Sequence, residues 1–111
     1  MKHITIDMFE QLKEETLNYK YVILRFSTEW CSGCVKIKKE LDEFVQNLHN
    51  SNMIFVDVNF NTYETDTDFQ NYIFVNKLPT FYCENKFNYS GTDLTIIKSN
   101  IISLQEITED F

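Results

Sequence analysis

An α/β fold, with a mixed sheet sandwiched between helices, follows from three features of the 111-residue sequence. Residues 21–26 (YVILRF) and 53–60 (MIFVDVNF) are compact runs of apolar, β-branched and aromatic residues, as expected of strands covered on both faces. Residues 34–48 carry an i, i+3, i+4 apolar stripe instead, opposite a row of Lys and Glu, and so predict an amphipathic helix between those strands. Strand, helix and strand in that succession make a βαβ unit, whose strands run parallel.

The other elements follow in chain order. Residues 3–6 alternate as a short strand, after which Asp7 stands in position to cap a helix with Met8, Phe9, Leu12 and Leu17 inward. The strand at 21–26 leads into TEWCSGC, residues 28–34, a strand-to-helix junction. The helix beyond it turns Cys34, Ile37, Leu41, Phe44, Val45 and Leu48 inward and Lys36, Lys38, Lys39, Glu40 and Glu43 outward. Between the strand at 53–60 and Pro79, the pattern predicts a loop and then a short helix at about 67–72. Residues 80–83 and 86–89 form a hairpin across Glu84 and Asn85, where Asn tolerates a positive φ. A last stripe, Leu94, Ile97, Ile101 and Leu104, marks a closing helix. Two crossovers make the first three strands parallel, and the hairpin adds antiparallel pairing. The expectation is one domain over residues 1–111, with about five strands flanked by about four helices.

Composition narrows the function classes. Apolar residues at 43% and aromatics at 15% argue against disorder. Ten basic against 17 acidic residues give a net charge of −7, and no basic stripe follows an aromatic ladder, which disfavours nucleic acid as a partner. The longest apolar run, residues 21–24, is far too short to span a membrane, and MKHITIDMFEQLKEE lacks the apolar core of a secretory signal. A soluble, cytoplasmic monomer is expected. Three cysteines, an odd number, do not read as a secreted disulfide scaffold. Cys83, within TFYC, reads as a buried packing thiol.

The chemistry therefore rests on Cys31 and Cys34. Cys31 falls at the N-cap or in the first turn of the predicted helix, where its sulfur faces unpaired N–H groups and the positive end of the helix dipole. Such a setting lowers a thiol pKa from about 8.5 to about 7 or below. Cys34, one turn on, falls on the buried stripe, so Cys31 can attack a disulfide and Cys34 can resolve the mixed disulfide that results. A zinc half-site would need two more ligands, and the candidates His3, His49 and Cys83 have no ligand-like spacing. No metal is expected.

WCSGC on a strand-to-helix turn, a lone Pro79 ahead of a hairpin strand and the overall element order together resemble thioredoxin. VILRFSTEWCSGC is similar to that family's second strand and active-site loop, MIFVDVNF to its third strand, and VNKLPTF to its cis-proline loop. The resemblance implies a thioredoxin fold and exchange of protein disulfides. Cys31 would be the attacking and Cys34 the resolving thiol of a redox-active disulfide. Trp30 would flank the substrate groove, Pro79 would be cis, and Leu78 would offer its backbone to an extended peptide. No organic cofactor is implied, only an external thiol donor such as a thioredoxin reductase or the glutathione system. A redox-inactive module of the same fold, binding or chaperoning a partner, is the alternative.

Three departures from the family pattern bear on mechanism. Ser32 and Gly33 stand where Gly-Pro is usual, which removes stiffness from the first helical turn and, by the family trend, makes the pair less reducing. Arg25 stands where an aspartate is usual, six residues before Cys31. A cation in an apolar strand needs a partner or must snorkel to water, and Asp57 in the neighbouring strand is the expected partner. Arg25 cannot accept a proton, so help in deprotonating Cys34 falls to Asp57 or water, while a nearby cation would stabilise the Cys34 thiolate. Lys39 replaces the proline that kinks the family's helix, so a straighter helix is expected.

Overall fold

The computed structural model describes residues 1–105. Its five strands are β1 (Lys2–Ile6), β2 (Tyr21–Ser27), β3 (Met53–Asn59), β4 (Thr80–Cys83) and β5 (Phe87–Ser90), arranged in the order β1-β3-β2-β4-β5. The β1–β3 and β3–β2 pairs are parallel, and the β2–β4 and β4–β5 pairs are antiparallel. The sequence-predicted mixed sheet is therefore present, with β2 at its centre.

Among the described residues five helices cover the sheet: α1 (Phe9–Thr16), α2 (Ser32–Asn47), α3 (Phe60–Thr65), α4 (Thr67–Tyr72) and α5 (Leu94–Gln105). The sequence reading expected about four. The extra one is α3, in the stretch read as a loop: Asn59 caps it, its side-chain oxygen accepting the Asn61 N–H at 2.8 Å, and Phe60 joins the helix instead of extending β3. One core, against α2 and α5, is built from Ile23, Phe55 and Phe81 of the sheet and Ile37, Leu41 and Ile101 of the helices. The other, against α1, α3 and α4, holds Leu24, Phe26, Val56, Tyr63 and Phe69.

The ends of α1 differ from the sequence reading. Asp7 does not cap it; Met8 holds the N-cap position, and the Gln11 side chain accepts the N–H groups of Asp7 and Met8 at 2.6 and 3.2 Å. The Phe9 N–H donates to Asp66 Oδ2 at 2.8 Å, and the other oxygen of Asp66 accepts from Asp68 and Phe69 at the start of α4. One carboxylate thus ties two helix starts together. Met8 and Leu17 are exposed, whereas Leu12 and Thr16 are buried. Four residues return to the same helix face and five do not, so Thr16 takes the inward position assigned to Leu17.

Helix α2 runs unbroken through Lys39. Its expected inward residues are buried except Phe44, which packs half-buried at the core edge. The hairpin turn takes in Lys86 as well as Glu84 and Asn85, so β5 runs one residue later than expected. Lys86 N–H donates to the Cys83 carbonyl at 2.9 Å, and Asn85 adopts the expected positive φ, 63°.

Candidate active site

The C-terminal end of β2 delivers the chain into the junction that starts α2. Cys31 is the N-cap residue, with extended backbone, and its sulfur accepts the Cys34 N–H at 3.2 Å. The sulfur thus does what a cap oxygen does, and the helix start directs an unpaired donor at it. Cys34, one turn on, is buried, whereas Cys31 is only half-buried. The two form a disulfide, with Cα atoms 5.3 Å apart. This asymmetry, one reachable sulfur on a helix dipole and one sheltered behind it, is the arrangement that dithiol exchange requires.

The Leu78–Pro79 peptide is cis. The Pro79 carbonyl accepts the Gly91 N–H at 3.0 Å, and Thr80 Oγ1 donates to the Lys77 carbonyl at 2.6 Å, so this turn is held from both sides. A groove of about 450 Å³ runs between Trp30, Cys31, Ser32 and Gly33 on one side and Leu78, Asn76 and Phe60 on the other. Trp30 stands 65% exposed at its rim, its ring edge-on to Phe60 with centroids 6.3 Å apart. Trp30, Cys31 and Leu78, all expected at the site, converge here. Phe60 and Asn76 were missed, because nothing in the sequence places the start of α3 beside the loop before β4.

Behind Cys34 lies a separate cavity of about 270 Å³, lined by Cys34, Pro79, Arg25, Asp57 and Lys38 among others. The Arg25–Asp57 partnership expected from the sequence is present across directly paired residues of β2 and β3. Arg25 Nε and Nη2 donate to the two oxygens of Asp57 at 2.5 and 2.9 Å. Arg25 is buried, which excludes the snorkelling option. Three more residues join this pair. Arg25 Nη2 lies 2.8 Å from Asp42 Oδ1, Lys38 Nζ donates to Asp42 Oδ2 at 2.6 Å, and His3 Nε2 meets Asp57 Oδ2 at 2.6 Å. The sequence reading placed none of the three here: Lys38 and Asp42 stand four and eight residues after Cys34, which puts them on one helical face without indicating what that face meets.

These contacts decide the charge states. Burial would push the Asp57 carboxyl up, but the hydrogen bonds and charges of His3 and Arg25 outweigh it and hold Asp57 at about 2. Burial likewise opposes the charge of Arg25, and Asp57 and Asp42 more than restore it. Two sequence expectations change. Asp57 at about 2 is far too weak a base to deprotonate Cys34 near neutrality. Arg25, expected to stabilise the Cys34 thiolate as a nearby cation, is compensated by a second carboxylate besides the expected Asp57.

Cys83 is buried on the α2–α5 side of the sheet, and burial pushes its thiol up to about 11. Such a thiol is un-ionised and unreactive near neutrality, as its packing role requires.

A disulfide at the start of a helix, on this sheet order and beside a cis-proline, places the protein in the class of dithiol–disulfide proteins. The family model described as thioredoxin matches residues 2–109. The chain belongs to the thioredoxin family, and with its Cys31/Cys34 pair it is a thiol–disulfide oxidoreductase. Similar solved structures include poplar thioredoxin h, PtTrxh4 (17% identity, 97% of this chain and 100% of that one, TM-score 0.80). Malassezia sympodialis thioredoxin, Mala s 13, is 18% identical over 93% of each chain with TM-score 0.76. Chlamydomonas reinhardtii thioredoxin f2 is 21% identical over 97% and 99%, with TM-score 0.72. At such identities these structures speak for the fold alone. No curated protein matches the sequence. Among the described residues no helix is long and apolar enough to cross a membrane.

Proposed function

We propose that the protein exchanges disulfides of protein substrates, with Cys31 attacking and Cys34 resolving. The observation that carries this reading is the Cys31 sulfur capping α2 at the edge of the groove while Cys34 is sheltered behind it. In the reducing direction, the Cys31 thiolate attacks one sulfur of a substrate disulfide. A Cys31–substrate S–S bond forms as the substrate's bond breaks, and the second substrate sulfur leaves as a thiolate. Cys34 then loses its proton, to that thiolate or to water, and attacks Cys31. The Cys31–Cys34 bond forms, the first substrate sulfur is released, and two electrons have passed to the substrate. Trp30 and Leu78 flank the bound segment, and the Leu78 backbone pairs with it as an added strand.

No organic cofactor or metal takes part in this scheme. The oxidised pair is reset by an external dithiol donor, a thioredoxin reductase or the glutathione system. One chain supplies both sulfurs and both walls of the groove, so a monomer suffices. The compartment proposed is the cytoplasm, which suits a chain whose third cysteine is a buried free thiol. Gly33 in the first turn supports a pair less reducing than thioredoxin's, that is, with a potential above about −270 mV. Equilibration with glutathione measures it, and a value at or below that figure removes this part of the reading.

Reduction of insulin disulfides tests the main assignment. Cys31→Ser should abolish turnover, and activity that survives it defeats the assignment. Cys34→Ser should trap substrates as mixed disulfides; partners held only non-covalently would identify a binding module instead.

A further inference from the structure

The ion cluster beneath the dithiol holds more negative partners for Arg25 than an isolated pair would need. Arg25 donates both to Asp57 on β3 and, through Nη2 at 2.8 Å, faces Asp42 on α2. Asp42 lies on the α2 face that also carries Cys34 and Lys38, and Cys34, Lys38, Arg25 and Asp57 all line the same cavity of about 270 Å³. Arg25 is 4% exposed, so water screens its charge poorly. Whatever charge it has left uncompensated acts on the buried sulfur of Cys34.

We propose that Asp42 is a positioning residue of the dithiol site: it holds the Arg25 guanidinium against α2 and, together with Asp57, balances the two cations, Arg25 and Lys38, that line the cavity behind Cys34. The inference deepens the proposed exchange reaction and rests on it only for its consequence, because the charge balance exists whether or not a protein substrate is turned over. The charged and titratable groups around Cys34 are few. Arg25 comes from β2, Glu29 from the loop after it, Asp57 from β3 and Lys38 from α2 itself, with Asp42 behind Arg25 and His3 behind Asp57. Within the linked cluster Arg25 and Lys38 are balanced by Asp42 and Asp57, and Glu29 adds a further carboxylate from the loop. Removing Asp42 makes the surroundings of the sulfur more positive by one unit. A cation stabilises the thiolate, and a stabilised thiolate favours the reduced pair.

The test is a titration of the Cys34 thiol, followed by NMR of labelled cysteine in a Cys31→Ser background, together with the glutathione equilibrium of the intact pair. In Asp42→Asn, Cys34 should titrate about one pH unit lower, and the equilibrium, measured at a pH above both titrations, should move about tenfold toward the dithiol. Asp42→Glu, which keeps the charge, should stay near the unsubstituted protein. Lys38→Gln, at a well-exposed position, should shift Cys34 the opposite way, because it removes a cation and leaves Asp42 to Arg25. Movement in the same direction in Asp42→Asn and Lys38→Gln, or in neither, overturns the proposal. Should Asp42→Asn not fold, an unmoved Cys34 in Lys38→Gln overturns it alone. Both readouts report on the pair without a protein substrate, so failure of insulin reduction and failure of this inference are separable.

Discussion

At neutral pH the carboxylate of Asp57 accepts from Arg25 and His3, and those partners hold it at about 2 against the 3.8 of an unperturbed aspartate. A carboxyl lowered on folding contributes stability above its unfolded pKa and loses it as pH falls toward the folded value. The contribution should therefore be complete above about pH 5 and lost progressively down to about pH 2, on the order of 2 kcal/mol in all. Asp57→Asn should lower stability at neutral pH and flatten this acid limb. Urea unfolding at a series of pH values measures both, and an acid limb unchanged by the substitution contradicts the assignment. The partner of Arg25 was legible beforehand, since a buried cation demands a carboxylate and Asp57 stood in the adjacent strand. His3 and Asp42 were not, because their contacts depend on β1 pairing beside β3 and on how α2 lies over the sheet.

The first turn of α2 shows what an element adds to its residues. A Cβ at Gly33 would stand 2.9 Å from Thr92 Cγ2, in the loop that follows β5. The missing proline is therefore matched by a neighbour that occupies its space. Backbone chemistry alone would admit a proline here, since the first helical turn has N–H groups without intrahelical partners. Gly33→Pro should destabilise the protein by about 1–3 kcal/mol through overpacking, and adding Thr92→Ala should recover most of that loss. The folded double variant should be the more reducing, read from its glutathione equilibrium against the unsubstituted protein. At the hairpin, Asn85 at φ 63° predicts that Asn85→Gly is nearly neutral and that Asn85→Val costs about 1 kcal/mol or more by thermal unfolding. The helix and strand types along most of the chain were readable because their apolar periods are long and unambiguous. The short helix α3 was not, because it is one turn and a half of mostly polar residues whose cap, Asn59, sits at a strand end.

In the whole molecule the two cores share one sheet, and the site lies where β2 leaves it. Phe69 of α4 is fully buried, its ring edge-on to Phe9 of α1 and to Phe26 of β2 at centroid distances of 5.0 and 6.0 Å. Phe69→Ala should cost about 3–5 kcal/mol. If the chain unfolds as one domain, far-ultraviolet dichroism and the fluorescence of Trp30, the only tryptophan, should lose structure in a single coincident transition. Two separated transitions would show that the core of α1, α3 and α4 melts independently of the site.

By itself the sequence determined the order of most of the elements, the mixed sheet, and the capping sulfur with its sheltered partner. Each of these follows from period, composition and spacing along a short stretch of chain. Tertiary structure decided what lies between distant stretches. The groove walls of Phe60 and Asn76, the Asp66 carboxylate shared by α1 and α4, and the second carboxylate on Arg25 all join segments far apart in the chain. Local pattern carries no record of such contacts, because packing of helices on the twisted sheet sets their distances.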